Sequence, residues 1–230
     1  MHWFERWLMP PTCVVTGKPS QYFDLHSDIV EGLKQPKDDC PQCGESSIGA
    51  KVCGACIAQP PCFERTRIGF YFEGEVIDLV HGLKYQRQLA YARLLAELFI
   101  KSECHAQEAK VDALIAVPAH RFRRRERGFN QAERLAENLG KILGVPVLKK
   151  VASRVKATPS QTGLSLSKRK QNLQGAFNIT ELNLNAYNKV ALVDDVITTG
   201  ATMNALAKKL HNAYPHLQIE IWSIAKTKLG

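Results

Sequence analysis

The spacing of apolar residues predicts that strands and helices alternate from residue 67 onward. The segment 67–72 is rich in apolar and aromatic residues and predicts an opening strand. Apolar residues then recur at the i, i+3, i+4 and i+7 positions of a helix face, first from Val76 and again from Ala92. The apolar run 111–117 stops at Pro118, which is typical of a buried strand in a parallel sheet.

The same alternation continues towards the end of the chain. A third helix face starts at Ala132, and 145–148 predicts a short strand. A longer apolar run, 189–193, precedes a helix face that starts at Met203, and 218–225 predicts a last strand. Strands that alternate with helices imply a right-handed, parallel α/β sheet flanked by helices.

The first part of the chain shows no such period. Residues 1–35 are irregular by pattern and are punctuated by proline and glycine. Residues 38–58 contain two cysteine pairs, and the Gln-Pro-Pro of 59–61 is typical of a short linker. We therefore predict an N-terminal segment with a metal module over 1–62 and an α/β domain over 63–230.

Two Cys-x-x-Cys turns predict a structural zinc site. Their ligands are Cys40, Cys43, Cys53 and Cys56. Each turn places two thiolates on one side of a tight bend, and we expect Gly44 and Gly54 to ease the backbone around the sulfurs. Four cysteines fill a tetrahedral shell, so the metal would be structural. The alternative is a redox dithiol, which normally lies at a helix start, and this Gly- and Pro-rich setting does not predict one.

Charge and composition narrow the class of protein. The formal net charge of +9 fits phosphate-rich partners, although it also fits a generic basic protein. No apolar run approaches the length of a membrane span, and the first residues lack the apolar core of a signal peptide. We therefore expect a soluble, cytoplasmic protein without membrane insertion, whose seven cysteines are metal ligands or reduced thiols.

The segment 189–202 carries the main candidate site. Its apolar strand ends in Asp194 and Asp195, which can accept hydrogen bonds from two sugar hydroxyls. The loop that follows offers backbone N–H groups, hydroxyls and the positive end of a helix to a phosphate. That loop is Thr198, Thr199, Gly200, Ala201 and Thr202. The order suits a ribose 5-phosphate, and the alternative is an acidic strand end before an ordinary capped helix.

This segment resembles the phosphoribosyl-diphosphate (PRPP) motif of type I phosphoribosyltransferases from Val190 to Thr202. The resemblance implies a phosphoribosyltransferase-like fold that binds PRPP with Mg²⁺. In a transferase, a base would attack the anomeric carbon of PRPP and pyrophosphate would leave. Such chemistry depends on positioning and charge stabilisation. The sequence does not identify a base pocket, so it leaves open whether the protein is an enzyme.

A second candidate anion site follows the strand 111–117. We interpret this segment as a loop that holds Arg121, Phe122, Arg123, Arg124, Arg125, Arg127 and Phe129. The arginines can grip a pyrophosphate or a nucleic-acid backbone, and the phenylalanines can stack on bases. The alternative is a solvated basic face with the phenylalanines packed inward. Lys84 can also reach an anion, and the basic stretch 154–172 has the polarity of a flap over the site.

The chain is identified as a member of the ComF family of competence-associated proteins. The resemblance rests on five segments, 40–44, 81–85, 124–131, 161–177 and 193–202. It implies a role in the uptake or processing of single-stranded DNA during natural transformation, alongside other DNA-uptake proteins. Many relatives have a further Cys-x-x-Cys that Cys13-Val-Val-Thr16 lacks here, so packing would hold residues 1–35. The alternatives are a base-salvage phosphoribosyltransferase and a non-catalytic, PRPP-sensing regulator that binds nucleic acid.

Overall fold

The computed structural model describes residues 12–20, 24–102, 104, 106–156, 175–180 and 184–228. The strands are β1 (Arg65–Tyr71), β2 (Ala113–Ala116), β3 (Ala152–Arg154), β4 (Phe177–Ile179), β5 (Lys189–Ile197) and β6 (Gln218–Lys226). The α-helices are α1 (Ser27–Gly32), α2 (Gly54–Ala58), α3 (Glu75–Tyr85), α4 (Ala90–Lys101), α5 (Arg121–Arg127), α6 (Gln131–Leu143) and α7 (Ala201–Ala213). No helix in these ranges is both long enough and apolar enough to cross a bilayer.

A four-stranded parallel sheet forms the centre, in the order β1–β6–β5–β2. This confirms the predicted parallel α/β architecture. The strand predicted at 145–148 is reduced to one bridge, between Val147 and Leu114 of β2. Pro146 has no N–H to donate, so a longer ladder is blocked on this side. Its carbonyl still accepts from the Leu114 N–H at 2.9 Å.

Helices cover both faces of the sheet, and the core therefore has two halves. In β5, Ala191 and Val193 belong to the half that contains residues of α3, α4 and α6. Val190 and Leu192 belong to the half that contains residues of α7. Because both faces are buried, the strand has an almost continuous apolar sequence instead of an alternating one.

Several short elements were not predicted, among them two helices and one strand pair. α1 lies in a segment that we expected to be irregular, and α5 replaces the predicted arginine loop. β3 and β4 form an antiparallel pair beside the main sheet. These elements have three to seven residues, which is too short for an apolar period to be recognised. Most of the predicted flap, with Gln161, Lys168, Arg169 and Asn172, lies outside the described residues.

The described part of the N-terminal segment packs against the main core. Cys13, Leu25 and Leu33 are buried in the half of the core that contains α3 and α4. Cys13 begins a tight turn, in which the Thr16 N–H donates to its Sγ at 3.4 Å and Gly17 has a φ of 69°. Tertiary packing thus holds the described residues 12–20 and 24–33.

Candidate functional site

A cavity of about 540 Å³ lies at the carboxyl ends of the central strands. Its lining includes Val117 after β2, Thr198 after β5 and Thr227 after β6. Ligands of open α/β sheets bind at this edge, and the volume is in the range of small-molecule sites. The cavity is therefore the candidate binding site of the main domain.

Asp194 and Asp195 both line this cavity but have different surroundings. β5 continues to Ile197, beyond its predicted end, so both residues belong to the strand. Asp195 is only 3% exposed, and its carboxylate pairs with the ammonium of Lys84 from α3. Asp194 is half-buried, and its Oδ1 accepts from the Asp195 N–H at 2.9 Å. Lys84, which we expected to contact a ligand anion, lines the same cavity and neutralises one of the two carboxylates.

The surroundings separate the pKa values of the two carboxyl groups. Burial, reinforced by the negative charge of Asp195, raises the pKa of Asp194 well above its usual range. Burial also acts on Asp195, but Lys84 overcomes it and lowers the pKa of that carboxyl. Asp194 therefore holds a proton more readily and can donate a hydrogen bond as well as accept one.

The loop after β5 turns directly into α7 and leaves the helix start open to the cavity. Gly200 is the N-cap residue, with a φ of 66°, and in the described chain no side chain caps the first N–H groups of α7. Thr198, Gly200, Ala201 and Thr202 line the cavity. Thr199 is not among the lining residues, and its Oγ1 is buried without a hydrogen-bond partner among the described residues. Uncapped N–H groups and the helix dipole both favour an anion here.

Residues 128–130, which we interpreted as part of a binding loop, end one helix and begin the next. Gly128, with a φ of 84°, ends α5 in the left-handed conformation. Asn130 begins α6, because its Oδ1 accepts from the Ala132 N–H at 3.2 Å. Phe129 packs against the core, which corrects the expectation that this ring is available for base stacking.

The arginines of α5 divide between the cavity and the solvent. Arg123 and Arg127 line the cavity, and Arg127 is 8% exposed. Its Nη1 donates to the Gln131 side chain at 2.9 Å. The other arginines of α5, namely Arg121, Arg124 and Arg125, are exposed, as is Arg123. Phe122 is 56% exposed, and the Arg121 guanidinium lies 5.1 Å from its ring centroid.

The structure adds cavity residues that the sequence analysis did not single out. Arg154 of β3 lies near Asp194, and burial lowers its pKa despite the opposing effect of this carboxylate. Phe72, His81 and Tyr85 form an aromatic side of the cavity. The sequence shows that the stretch from Arg154 is basic, but it does not show that Arg154 lines the cavity. His81 and Tyr85 belong to the segment 81–85 that carries the family resemblance, but the sequence does not place them beside Phe72, because packing of α3 against the sheet brings the three together.

The four predicted metal ligands converge. The Sγ atoms of Cys40, Cys43, Cys53 and Cys56 lie within 4.8 Å of one another. Gly44 has a φ of 72°, as the tight turn requires. Gly54 instead begins α2, so the second pair does lie at a helix start, contrary to our expectation. Four converging sulfurs nevertheless match a metal shell better than a single redox pair, and the cluster suits a metal such as zinc.

Backbone donors prepare the cluster for a cation. The Cys53 N–H donates to the Cys40 Sγ at 3.3 Å, and the Glu45 N–H donates to the Cys43 Sγ at 3.4 Å. Against the effect of burial, N–H groups of Cys43 and Cys53 lower the pKa of Cys40 to about 7. Cys40 therefore reaches the thiolate form near neutral pH, whereas burial raises the pKa values of Cys43 and Cys56, so a bound metal would be needed to hold those two as thiolates.

The cysteine module docks on the edge of the main sheet. The Thr66 N–H of β1 donates to the Pro41 carbonyl at 2.9 Å. The ammonium of Lys226, at the end of β6, contacts the Gly44 carbonyl and pairs with Glu45 at 3.2 Å. The module thus covers the exposed edge of β1, and a bound metal would stabilise this edge.

Comparison with known proteins identifies the family. The chain is 38% identical over 194 residues to Competence protein F of Haemophilus influenzae, which covers 81% of this chain and 84% of the relative. This chain belongs to the ComF family. The ComF resemblance inferred from the sequence is thereby confirmed.

Two further relatives of this ComF-family chain are named for DNA utilization and for competence. It is 32% identical over 227 residues to the DNA utilization protein YhgH of Salmonella typhimurium, covering 95% of this chain and 98% of the relative. It is 24% identical over 180 residues to Competence protein ComFC of Bacillus subtilis, and the match covers 74% of this chain and 70% of the relative. No family model matches the chain.

Proposed function

We propose that this ComF-family protein binds PRPP, or a related ribose 5-phosphate, and acts on single-stranded DNA during DNA uptake. One observation carries the ligand assignment. Two carboxyl groups and the uncapped start of α7 line a single cavity, in the order that a sugar followed by its 5-phosphate requires. The names of the relatives, which refer to competence and DNA utilization, support the role in DNA uptake.

The ribose would contact Asp194, and the 5-phosphate would lie on residues 198–202. Asp194 is the accessible carboxyl of the pair, whereas Asp195 is already neutralised by Lys84. Mg²⁺ would enter with the pyrophosphate of PRPP, since this ion is commonly held by one or two carboxylates together with substrate phosphates. Arg123, Arg127 and Arg154 provide positive charge for the pyrophosphate in the same cavity.

Single-stranded DNA would bind the exposed face of α5. Its arginines project into solvent beside an exposed phenylalanine, which is the combination that tracks a phosphate backbone and stacks on bases. The cavity of about 540 Å³ has the size of a small-molecule site, whereas α5 presents its arginines on an exposed face that a long strand can reach, so we assign the strand to α5 and the sugar phosphate to the cavity. The DNA-uptake role and the PRPP site thus use adjacent but separate surfaces.

Calorimetry with PRPP and Mg²⁺ tests the sugar-phosphate site. We expect Asp194→Asn to weaken binding about tenfold or more, because Mg²⁺ bound with PRPP would favour the ionised form of Asp194, and an amide cannot supply that charge to the ion or to the ribose hydroxyls. Asp78→Asn on α3 is the matched control, since Asp78 is exposed and does not line the cavity. Equal PRPP affinity in both variants would contradict the assignment of Asp194.

Titration of a labelled oligo-dT at several salt concentrations tests the DNA surface. Replacement of Arg121, Arg124 and Arg125, which do not line the cavity, with alanine should lower affinity and flatten the salt slope by about 0.7 for each lost phosphate contact. The matched control replaces three exposed lysines elsewhere, Lys141, Lys208 and Lys209, with alanine. Wild-type affinity and salt slope in the arginine variant would remove the DNA role from α5.

A further inference from the structure

Three aromatic side chains line the cavity beside Lys84 and have no place in the sugar-phosphate assignment. Phe72 follows β1, and His81 and Tyr85 lie one turn apart on the same face of α3. The His81 ring centroid is 6.0 Å from that of Phe72 and 5.5 Å from that of Tyr85, in edge-to-face geometry. The three rings form one aromatic wall, which we define by these residues.

Tyr85 lies at one end of the aromatic wall and is exposed to solvent. Its side chain lines the cavity but is 64% exposed, so its ring is not buried by packing within the described residues. The Arg127 guanidinium lies 5.2 Å from the Tyr85 centroid and supports the ring through a cation–π contact. Since Arg127 is itself 8% exposed and bonded to Gln131, the support is well fixed.

The position of Arg127 leaves part of the Tyr85 ring available to a ligand. The guanidinium lies over one face of the ring, and the side chain of Tyr85 is nevertheless 64% exposed. An aromatic face that borders a cavity favours stacking with another planar group. The ring therefore points to a planar ligand group beside Tyr85.

The aromatic wall is close to the sugar site. Lys84 immediately precedes Tyr85, and its ammonium contacts Asp195 next to Asp194. The cavity thus offers aromatic rings, a carboxyl pair and a helix start, which match the base, sugar and phosphate of a nucleotide. Its volume of about 540 Å³ is also in the range of sites for ligands of this size.

We propose that the aromatic wall is a nucleobase platform, on which the base stacks against Tyr85 while its sugar phosphate occupies the site at Asp194 and 198–202. This inference rests on the proposed ribose 5-phosphate site and adds the class of group joined to the sugar. Any base can stack on an aromatic face. The platform therefore favours a nucleotide over a bare sugar phosphate but does not discriminate between bases.

Calorimetry with ribose 5-phosphate and with AMP, each with Mg²⁺, separates the platform from the sugar site. Wild-type protein should bind AMP roughly tenfold or more tightly than ribose 5-phosphate, which is the usual contribution of one stacked base. Tyr85→Ala should remove this preference and leave ribose 5-phosphate affinity unchanged, while Tyr85→Trp should keep it. Ile142→Ala, which removes an exposed apolar side chain outside the cavity and away from α5, is the control and should change neither affinity.

A 5′-phosphorylated oligo-dT distinguishes a free nucleotide from the end of a strand as the source of the base. Weaker binding of both AMP and the oligonucleotide by Tyr85→Ala supports one platform for both, and weaker binding of AMP alone assigns the platform to a free nucleotide. An unchanged ratio of AMP to ribose 5-phosphate affinity overturns the platform but leaves the sugar-phosphate site intact. Failure of the folded wild-type protein to bind either small probe overturns both.

Discussion

Replacement of Asp195 with asparagine should destabilise the folded protein, whereas the same replacement at the adjacent Asp194 should not. Asp195→Asn removes the partner of Lys84, and the side chains of Asp195 and Lys84 are 5% and 16% exposed. Removal of one member of a buried pair typically costs about 3–5 kcal/mol, because the other charge stays buried and unpaired. Lys84 borders a cavity open to water, so we expect the lower end, about 3 kcal/mol.

Asp194→Asn should leave stability unchanged or raise it at neutral pH. The raised pKa of Asp194 means that the folded protein favours the neutral form, which an amide resembles. As pH rises from the ordinary pKa of an aspartate, about 3.9, towards the raised folded value, wild-type protein loses stability and the asparagine variant does not. The advantage of Asp194→Asn should therefore grow with pH over this window.

Urea unfolding at fixed zinc concentration measures both effects. At equal m-values, the midpoint of Asp195→Asn should fall and that of Asp194→Asn should not. A cost of about 3 kcal/mol also corresponds to a thermal shift of roughly 6–12 °C for a domain of this size. Lys84→Met combined with Asp195→Asn should recover most of the loss, since no unpaired charge remains. Equal losses in the two single variants would refute the reasoning.

Two further predictions concern the metal and a second ion pair. Protein purified without added metal should contain about one equivalent of zinc by elemental analysis. Cys53→Ser with Cys56→Ser should lose the zinc while Cys62→Ser, outside the cluster, keeps it, and retention by the double variant would refute the site. Glu220→Gln should cost about 3 kcal/mol near pH 7, because Glu220 pairs with buried Arg67 at 2.8 Å. Although burial opposes it, Arg67 lowers the pKa of Glu220, so this stabilisation is present above the unfolded pKa and lost as pH falls through the folded value. The cost measured by urea unfolding should therefore shrink near pH 3, and a cost independent of pH would contradict this.

The parts that the sequence predicted well depend on local pattern. The apolar run of the strand before the candidate phosphate loop and the apolar period of the helix after it are both long enough to be recognised, and both elements are present in the structure. Gly44 belongs to a Cys-x-x-Cys turn in which spacing alone fixes the direction of the sulfurs. Motif and period thus predicted the sheet, the helix after β5 and the cysteine cluster.

The parts that the sequence did not predict depend on tertiary contacts or on polar helices. Asp194 and Asp195 are neighbours in the chain, and only the approach of Lys84 on α3 makes their pKa values differ. α5 has no apolar period, and its bounds are set by a histidine cap and by Gly128 in the left-handed conformation. Tyr85 reaches the cavity only because α3 packs beside the end of β5.

A structure determined with PRPP and Mg²⁺ bound tests the central claim most directly. We predict that the 5-phosphate lies on the N–H groups of 198–202 at the start of α7, with the ribose hydroxyls on Asp194 and the pyrophosphate towards Arg123 and Arg127. PRPP bound only to the outer face of α5, or a cavity empty at saturating ligand, would contradict the account.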